Sequence, residues 1–401
     1  MVRILTFALA VLALTAPAAH AVDDCPGAQP AQTLLSGQGV LESVIGGPDG
    51  KLYFTDTGKS ALVRLDEPGA QPVTVADGIE SPGGLLLGVD GTSIVQGYGD
   101  GFVQGAAGNL VGLAGLLRID LATGDKSTIA TGLSMANGLA RDPAGAIYAS
   151  DDAGTGIDRV VGSRVERNWA SVVSGNGLAV GASGRYLFVN QTFQPAAVQR
   201  VDLTDPSTVE PYATPGPEDS AAGLDGLTID QDDRLFAAAN GAGEIWRIGT
   251  DGTICALARG LSMPSAVAFG TGGAFPVTSL YAVTFGGDVV EIPGARTSAP
   301  TAGLPDSARL RLRVRPRLLR VGKRTRVKVT VRRGRVLEPR ARVRAGGKVR
   351  FTRANGRLRM FVRPRRAGVL VFRARAVGVP PVRTRVRVLR RSQRPQAVTE
   401  P

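Results

Sequence analysis

The chain has 401 residues, with 48 Lys and Arg against 34 Asp and Glu, two cysteines and a single histidine. That histidine, His20, falls in an N-terminal apolar stretch. Downstream of it, Ser-His-Asp and Cys-His catalysis, histidine-based zinc sites and an imidazole base are excluded, and two cysteines cannot form a four-thiolate metal site.

The first 21 residues have the anatomy of a signal peptide: Arg3, an apolar run from Ile4 to Leu14, and the small-residue site Ala19-His20-Ala21 before Val22. The run is shorter than the roughly 20 residues needed to span a bilayer. A secreted or cell-surface protein is expected. In an oxidising compartment Cys25 and Cys255 are expected to pair.

From Leu34 to Pro293 one unit recurs six times: an apolar strand, a turn with Gly or Asp, and a second strand. The copies are VIGGPDGKLYFTD, GLLLGVDGTSIVQG, GLARDPAGAIYASD, GLAVGASGRYLFVN, GLTIDQDDRLFAAAN and AVAFGTGGAF…SLYAV. Their turn residues Gly50, Gly91, Gly145, Gly184, Asp233 and Gly272 are spaced by 41, 54, 39, 49 and 39 residues. That period predicts four-stranded propeller blades, with outer strands signalled by ALVRLD, GLLRID, VQRVDL and EIWRIG. A ring must join its ends, so TLLSGQGV is expected to complete the last blade, bringing Cys25 near Cys255 in blade six.

Eight residues before each turn, where the chain enters the innermost strand, stand Glu42, Gly83, Asn137, Asn176, Asp225 and Pro264. In a propeller these positions surround the axis at one end. Two carboxylates and two amides without sulfur or imidazole are a hard-oxygen set suited to Ca²⁺, with Mg²⁺, Mn²⁺ or Zn²⁺ as alternatives. Taken singly, Asn137-Gly138, Asn176-Gly177 and Asp225-Gly226 are ordinary turn chemistry. The shared offset in four repeats argues for a common ion. Six residues after their turns lie Asp56, Asp151 and Asn190, either groups at the channel mouth that orient ligands or substrate or strand-end polar residues meeting solvent; Asp152 and Asn240 are weaker additions.

The runs LESVIGGPDGKLYFTD, ANGLARDPAGAIYASD, NGLAVGASGRYLFVNQTF and LDGLTIDQDDRLFAAAN resemble the senescence marker protein (SMP-30)/gluconolactonase-like propellers. Strictosidine synthase-like proteins, paraoxonases and diisopropyl fluorophosphatase are their kin. The resemblance spans about Gln32 to Pro293 and implies that Glu42, Asn137, Asn176 and Asp225 bind a central Ca²⁺. It further implies a hydrolase of lactones or related esters, the ion polarising the carbonyl and Asp225 acting as base or nucleophile. Two departures stand out. Paraoxonase-type histidines are absent, and the Arg that sugar lactonases carry two residues before the third-blade Asn is Met135 here.

The Gly-rich insertion from Gly97 to Gly115 reads as a loop or lid over the entrance, and it lacks nucleotide-loop spacing. Residues 22–296 are expected to form the propeller and 297–306 a linker. Residues 307–392 are expected to form an Arg-rich, immunoglobulin-like β-sandwich, with 393–401 a tail. From Pro305 onward there are 32 Lys and Arg against 3 Asp and Glu, leaving 16 and 31 for the rest. Strict alternation of Arg with Val, Leu or Phe puts cations on one face of each strand. Phe351, Phe361 and Phe372 are expected in the core rather than as stacking platforms, so nucleic acid is not the expected partner. The basic face instead suits an anionic cell-wall or surface polymer. Two functions follow: a tethered metal-dependent hydrolase acting on a small lactone or ester, or a noncatalytic binding module in which the metal only stabilises the propeller.

Overall fold

All six turn residues that set the repeat have positive φ, from 61° at Asp233 to 111° at Gly272, so each hairpin depends on a residue tolerant of the left-handed region. In this computed structural model the described residues are 22–296, 310–333, 336–337, 341–353, 356–376 and 379–390. The expected signal peptide, linker and C-terminal tail lie outside them.

The six hairpins extend into six four-stranded antiparallel sheets. Blade one consists of Leu41–Gly46, Leu52–Asp56, Ala61–Leu65 and Val73–Ala76, and the next four blades repeat that order along the chain. Blade six has three strands of its own, Pro264–Phe269, Leu280–Thr284 and Val289–Ile292. Its fourth is the N-terminal strand Gln32–Leu35, paired antiparallel with Val289–Ile292. The closure expected for TLLSGQGV is therefore present, and it leaves no unpaired edge between the ends of the ring.

Stability comes from the seams between blades. Six apolar clusters sit there, one at each blade interface. Phe236 of blade five meets Phe269 of blade six edge-on at 4.9 Å. Fully burying such an aromatic stabilises the seam by roughly 1.5–3 kcal/mol.

A disulfide joins Cys25 to Cys255. Cys255, however, lies on the outer strand Ile254–Ala258 of blade five, one blade away from the expected position. The segment before Gln32 runs past the closing strand to reach it. There, the Cys25 amide donates to Ala256 O, and Arg259 bonds Asp24 at 2.7 Å and also Glu244 and the Val22 carbonyl.

The insertion is not simply a loop. Phe102–Val111 forms a helix, α1, closed by Gly112 in the left-handed conformation.

The Arg-rich segment packs two sheets over one core. One contains Leu310–Arg315, Thr325–Arg333, Arg357–Val362 and the short Val336–Leu337; the other contains Leu318–Arg320, Val379–Leu389, Gly368–Ala376, Arg342–Ala345 and Lys348–Phe351. Val327, Val329, Leu358 and Met360 from the first meet Val343, Phe372, Val386 and Val388 from the second. Of the three phenylalanines only Phe372 is buried; Phe351 and Phe361 are 58% and 42% exposed. The period of two decides this for Phe361: once Met360 and Val362 face the core, Phe361 must face outward, where the Arg324 guanidinium covers its ring at 4.3 Å.

Candidate metal centre on the propeller axis

Glu42, Asn137, Asn176 and Asp225 line one axial cavity of about 240 Å³, together with residues from the inner strands of all six blades. The glycine that follows three of these residues explains how the strands come so near. A Cβ on Gly138 would lie 2.3 Å from Asn176 O, one on Gly177 2.4 Å from Asp225 O, and one on Gly226 2.6 Å from Ser265 O. None of the three has positive φ, and Asn176-Gly177 and Asp225-Gly226 lie within strands. These dipeptides are not turns: the glycines let each inner strand pack against the backbone of the next blade's inner strand. Blade six closes the circle with the Ser265 hydroxyl donating to Leu41 O at 2.6 Å.

Neighbouring side chains hold the ring residues. Asn176 Nδ2 donates to Thr192 Oγ1 at 2.9 Å, and that hydroxyl donates to Leu224 O at 2.7 Å. Asn190 Nδ2 donates to Asp225 O at 2.7 Å, while Asn240 Nδ2 donates to Asp225 Oδ2 at 3.2 Å. Asn137 is anchored through its backbone and the neighbouring glycine to Ser150, whose hydroxyl accepts from Gly138 N–H at 2.8 Å. With its amide nitrogen committed to Thr192, Asn176 Oδ1 is left buried without a hydrogen-bond partner. An orphaned buried carbonyl is what a cation site requires.

The charges point the same way. Burial, followed by the Asp152 charge, pushes the Glu42 carboxyl up to about 8. Asp225 is raised well above the usual carboxylate range by burial, then by Glu42 and Asp152, while hydrogen bonds from Asn176 and Asn240 pull it back. Asp100 is raised likewise by burial and by Glu42, Asp152, Asp225 and Asp151; burial brings Asp152 to about 6. The charges acting most strongly on these groups are all negative, so a cation among them reverses the balance. Among the described residues no three Asp, Glu, Cys or His side chains form a metal-holding group by themselves. The donor set is complete only with the amide oxygens of Asn137 and Asn176, and in that form it fits a hard divalent ion.

A sequence model described as the SMP-30/Gluconolactonase/LRE-like region matches residues 42–284. The chain belongs to this family. Among solved structures, a gluconolactonase from Xanthomonas campestris aligns with TM-score 0.54 at 16% identity, over 66% of this chain and 89% of its own. The calcium-binding protein regucalcin from Agrobacterium tumefaciens aligns with 0.53 at 18%, over 66% and 93%. A luciferin-regenerating enzyme aligns with 0.52 at 17%, over 66% and 95%. At such identities these likenesses establish the fold. No curated protein matches the sequence.

Not every residue expected near the family's axial site is brought to it. Asp56 is buried at the end of its strand, where Lys59 Nζ lies 2.9 Å from Oδ2 and Lys59 N–H donates to Oδ1; it does not line the cavity. Asp151 is buried and acts on Asp100 by its charge. Asn190 lies behind Asp225, as its repeat offset allows. Two neighbours of these residues carry no repeat signal. Thr192 carries no repeat signature beyond following Asn190 by two, and Asp100 lies in the insertion, where no repeat ruler applies. Met135, the residue at the family's Arg position, is 2% exposed and covered by α1: a Cβ on Gly105 would lie 2.7 Å from Met135 Sδ and 3.2 Å from Ala153 Cβ. The Arg167 guanidinium fastens the helix by donating to Gly108 O at 2.5 Å.

Proposed function

We propose that the propeller is a divalent-cation-dependent hydrolase of lactones or related esters, with Ca²⁺ the ion that best suits its donors. Glu42, Asn137, Asn176 and Asp225 would hold the ion, which when bound would polarise a substrate carbonyl as a Lewis acid. The observation that carries this reading is the convergence of these four oxygen donors at the entry of four inner strands, with Asn176 Oδ1 buried and unpartnered. Asp225 is the candidate base or nucleophile. Asn190 and Asn240 fix it from behind and from one oxygen, so its remaining oxygen has little freedom to turn away from a substrate. Hydrolysis of a lactone and aryl-ester panel, with and without chelator and in Asp225→Asn and Glu42→Gln, tests the proposal. Turnover that survives both chelation and Asp225→Asn would exclude it.

One observation favours a noncatalytic, metal-stabilised binding module as the second reading. Met135 stands where sugar lactonases carry an Arg and is buried under α1, so this position offers no polar contact to a sugar lactone. If an ion binds and stabilises the fold while no lactone or ester turns over, that reading stands instead.

The remaining parts of the proposal concern location. Export would follow from the expected signal peptide ending at Ala19-His20-Ala21; among the described residues no helix is long and apolar enough to cross a membrane. The Arg-rich unit would retain the protein on an anionic wall or surface polymer. Arg313, Arg315, Lys328, Arg357 and Arg359 share one exposed sheet face, and all three acidic residues of the segment, Asp306, Glu338 and Glu400, lie outside the described residues.

A further inference from the structure

We propose that the chain is cut between Ala21 and Val22 and that the α-ammonium group so freed forms an ion pair with Asp219, which fastens the mature N-terminus to the propeller. The inference rests on the export reading above and adds to it the fate of the new terminus. Two independent observations meet at one atom. The sequence places the small-residue site Ala19-His20-Ala21 immediately before Val22. The structure places the Val22 nitrogen 2.9 Å from Asp219 Oδ2, although 197 residues separate the two along the chain.

Val22 is held through its nitrogen, its carbonyl and its side chain. The nitrogen donates to Asp219, the carbonyl accepts from the Arg259 guanidinium, and the half-buried side chain packs at the seam of blades four and five, on the cluster that contains Ala213, Ala222 and Leu224. The residues that follow run along the outer strand of blade five. There Ala256 N–H donates to Asp23 O and Cys25 N–H to Ala256 O, each at 2.8 Å, beside the Cys25–Cys255 disulfide. Asp219 ends the short helical turn Pro217–Asp219 and is half-buried. Among the described residues no Lys or Arg forms an ion pair with it; Arg259 is committed to Asp24 and Glu244.

With the bond to Ala21 intact, the Val22 nitrogen is an amide carrying one hydrogen. A signal peptidase breaks that bond with one water: the carboxyl goes to Ala21 and the amine to Val22. An α-amino group titrates at about 7.7–8.0, so the new amine takes up a proton at neutral pH. The contact with Asp219 then joins opposite charges, and such a hydrogen bond is roughly twice as strong as a neutral one. Asp219 O also accepts from Ala222 N–H at 3.0 Å, just ahead of Asp225, so the fastened terminus steadies the connection that enters the inner strand of blade five.

Melting of four exported proteins, each confirmed by N-terminal sequencing, tests the inference: the full chain, the same chain with Gly-Ser inserted between Ala21 and Val22, and Asp219→Asn in both. The full chain should emerge beginning at Val22. Asp219→Asn should lower its Tm by about 2–4 °C, but by less than about 1 °C where the insertion carries the ammonium away. An aminopeptidase should also trim the Asp219→Asn terminus several-fold faster than that of the unsubstituted chain. An equal effect on Tm with and without the insertion means that Asp219 needs only an ordinary amide, and it overturns the inference while leaving export intact. An exported chain that begins at another residue overturns it too, and a chain that is neither exported nor cut removes the export reading with it. Should Asp219→Asn not fold, Asp219→Ser is read by the same comparison.

Discussion

The propeller axis and the Arg-rich sheets both gather like charges, with opposite consequences. Near the axis Asp225 is buried and Glu42, Asp100 and Asp152 are half-buried, and each carboxyl is held above its usual range. On the sheet built from Leu310–Arg315, Thr325–Arg333 and Arg357–Val362, Arg311 stands opposite Arg332, Arg315 opposite Lys328, and Lys328 opposite Arg359. These cations are exposed. Water and salt screen them, so directly opposed pairs cost only about 0.2–1 kcal/mol each. Burial thus separates a charge cluster that a counter-ion would relieve from one that water and salt already screen.

The sharpest way to break this contrast is to remove charge from the axis. Asp225→Asn or Glu42→Gln should reduce lactone turnover more than about 100-fold and abolish the rise in Tm on adding Ca²⁺. Kinetics and melting of purified protein check both. If either variant retained full Ca²⁺ stabilisation, the axial cluster would not be a metal site.

Metal removal should make the contrast depend on pH. In the metal-free fold, burial keeps Glu42 protonated up to about pH 8, whereas in the unfolded chain it ionises near its ordinary value of 4.5. Stability of the chelated protein is therefore highest below about pH 4.5 as far as this group is concerned, and declines as pH rises towards 8. Ca²⁺ favours the ionised form, so its stabilising effect should be larger at pH 8 than at pH 5. Melting curves with chelator and with excess Ca²⁺ at the two pH values measure the difference; an equal effect at both would contradict the assignment.

Smaller effects are expected one step away from the ion. Thr192→Val removes the acceptor that holds Asn176 Nδ2 and the donor to Leu224 O, and Asn190→Ala removes the bond to Asp225 O. Each should weaken Ca²⁺ about 10- to 100-fold in titration without altering the disulfide-linked closure. The smallest effect on stability belongs to the basic face. Arg313→Glu with Arg359→Glu in the full chain should change stability by no more than about 1 kcal/mol, yet markedly reduce retention on an anionic resin at low salt. Retention that is unchanged, or insensitive to salt, would remove the polyanion proposal.

Much of the candidate site was legible because a propeller repeats its local chemistry. Glu42, Asn137, Asn176 and Asp225 were found by counting back from turn residues, and those turns are the left-handed positions of the structure. Asn190 and Asn240 followed from similar offsets. The same counting put Asp56 in the site, although Lys59 and the adjacent backbone claim it. Thr192 and Asp100 could not be reached this way, since one acts through a neighbour and the other arrives from an insertion.

By itself, then, the sequence determined six blades, their closing strand, the shared register of the four candidate donors and the alternation of the Arg-rich strands. These depend on turn geometry and on periods of two that neighbouring residues impose locally. Tertiary structure decided that Asn-Gly and Asp-Gly mark close approach rather than turns, that Cys255 belongs to blade five, that α1 covers Met135, and that Asp100 fills the space at Gly83. All four depend on distances across the closed ring, set by which surfaces pack together and invisible to any period along the chain.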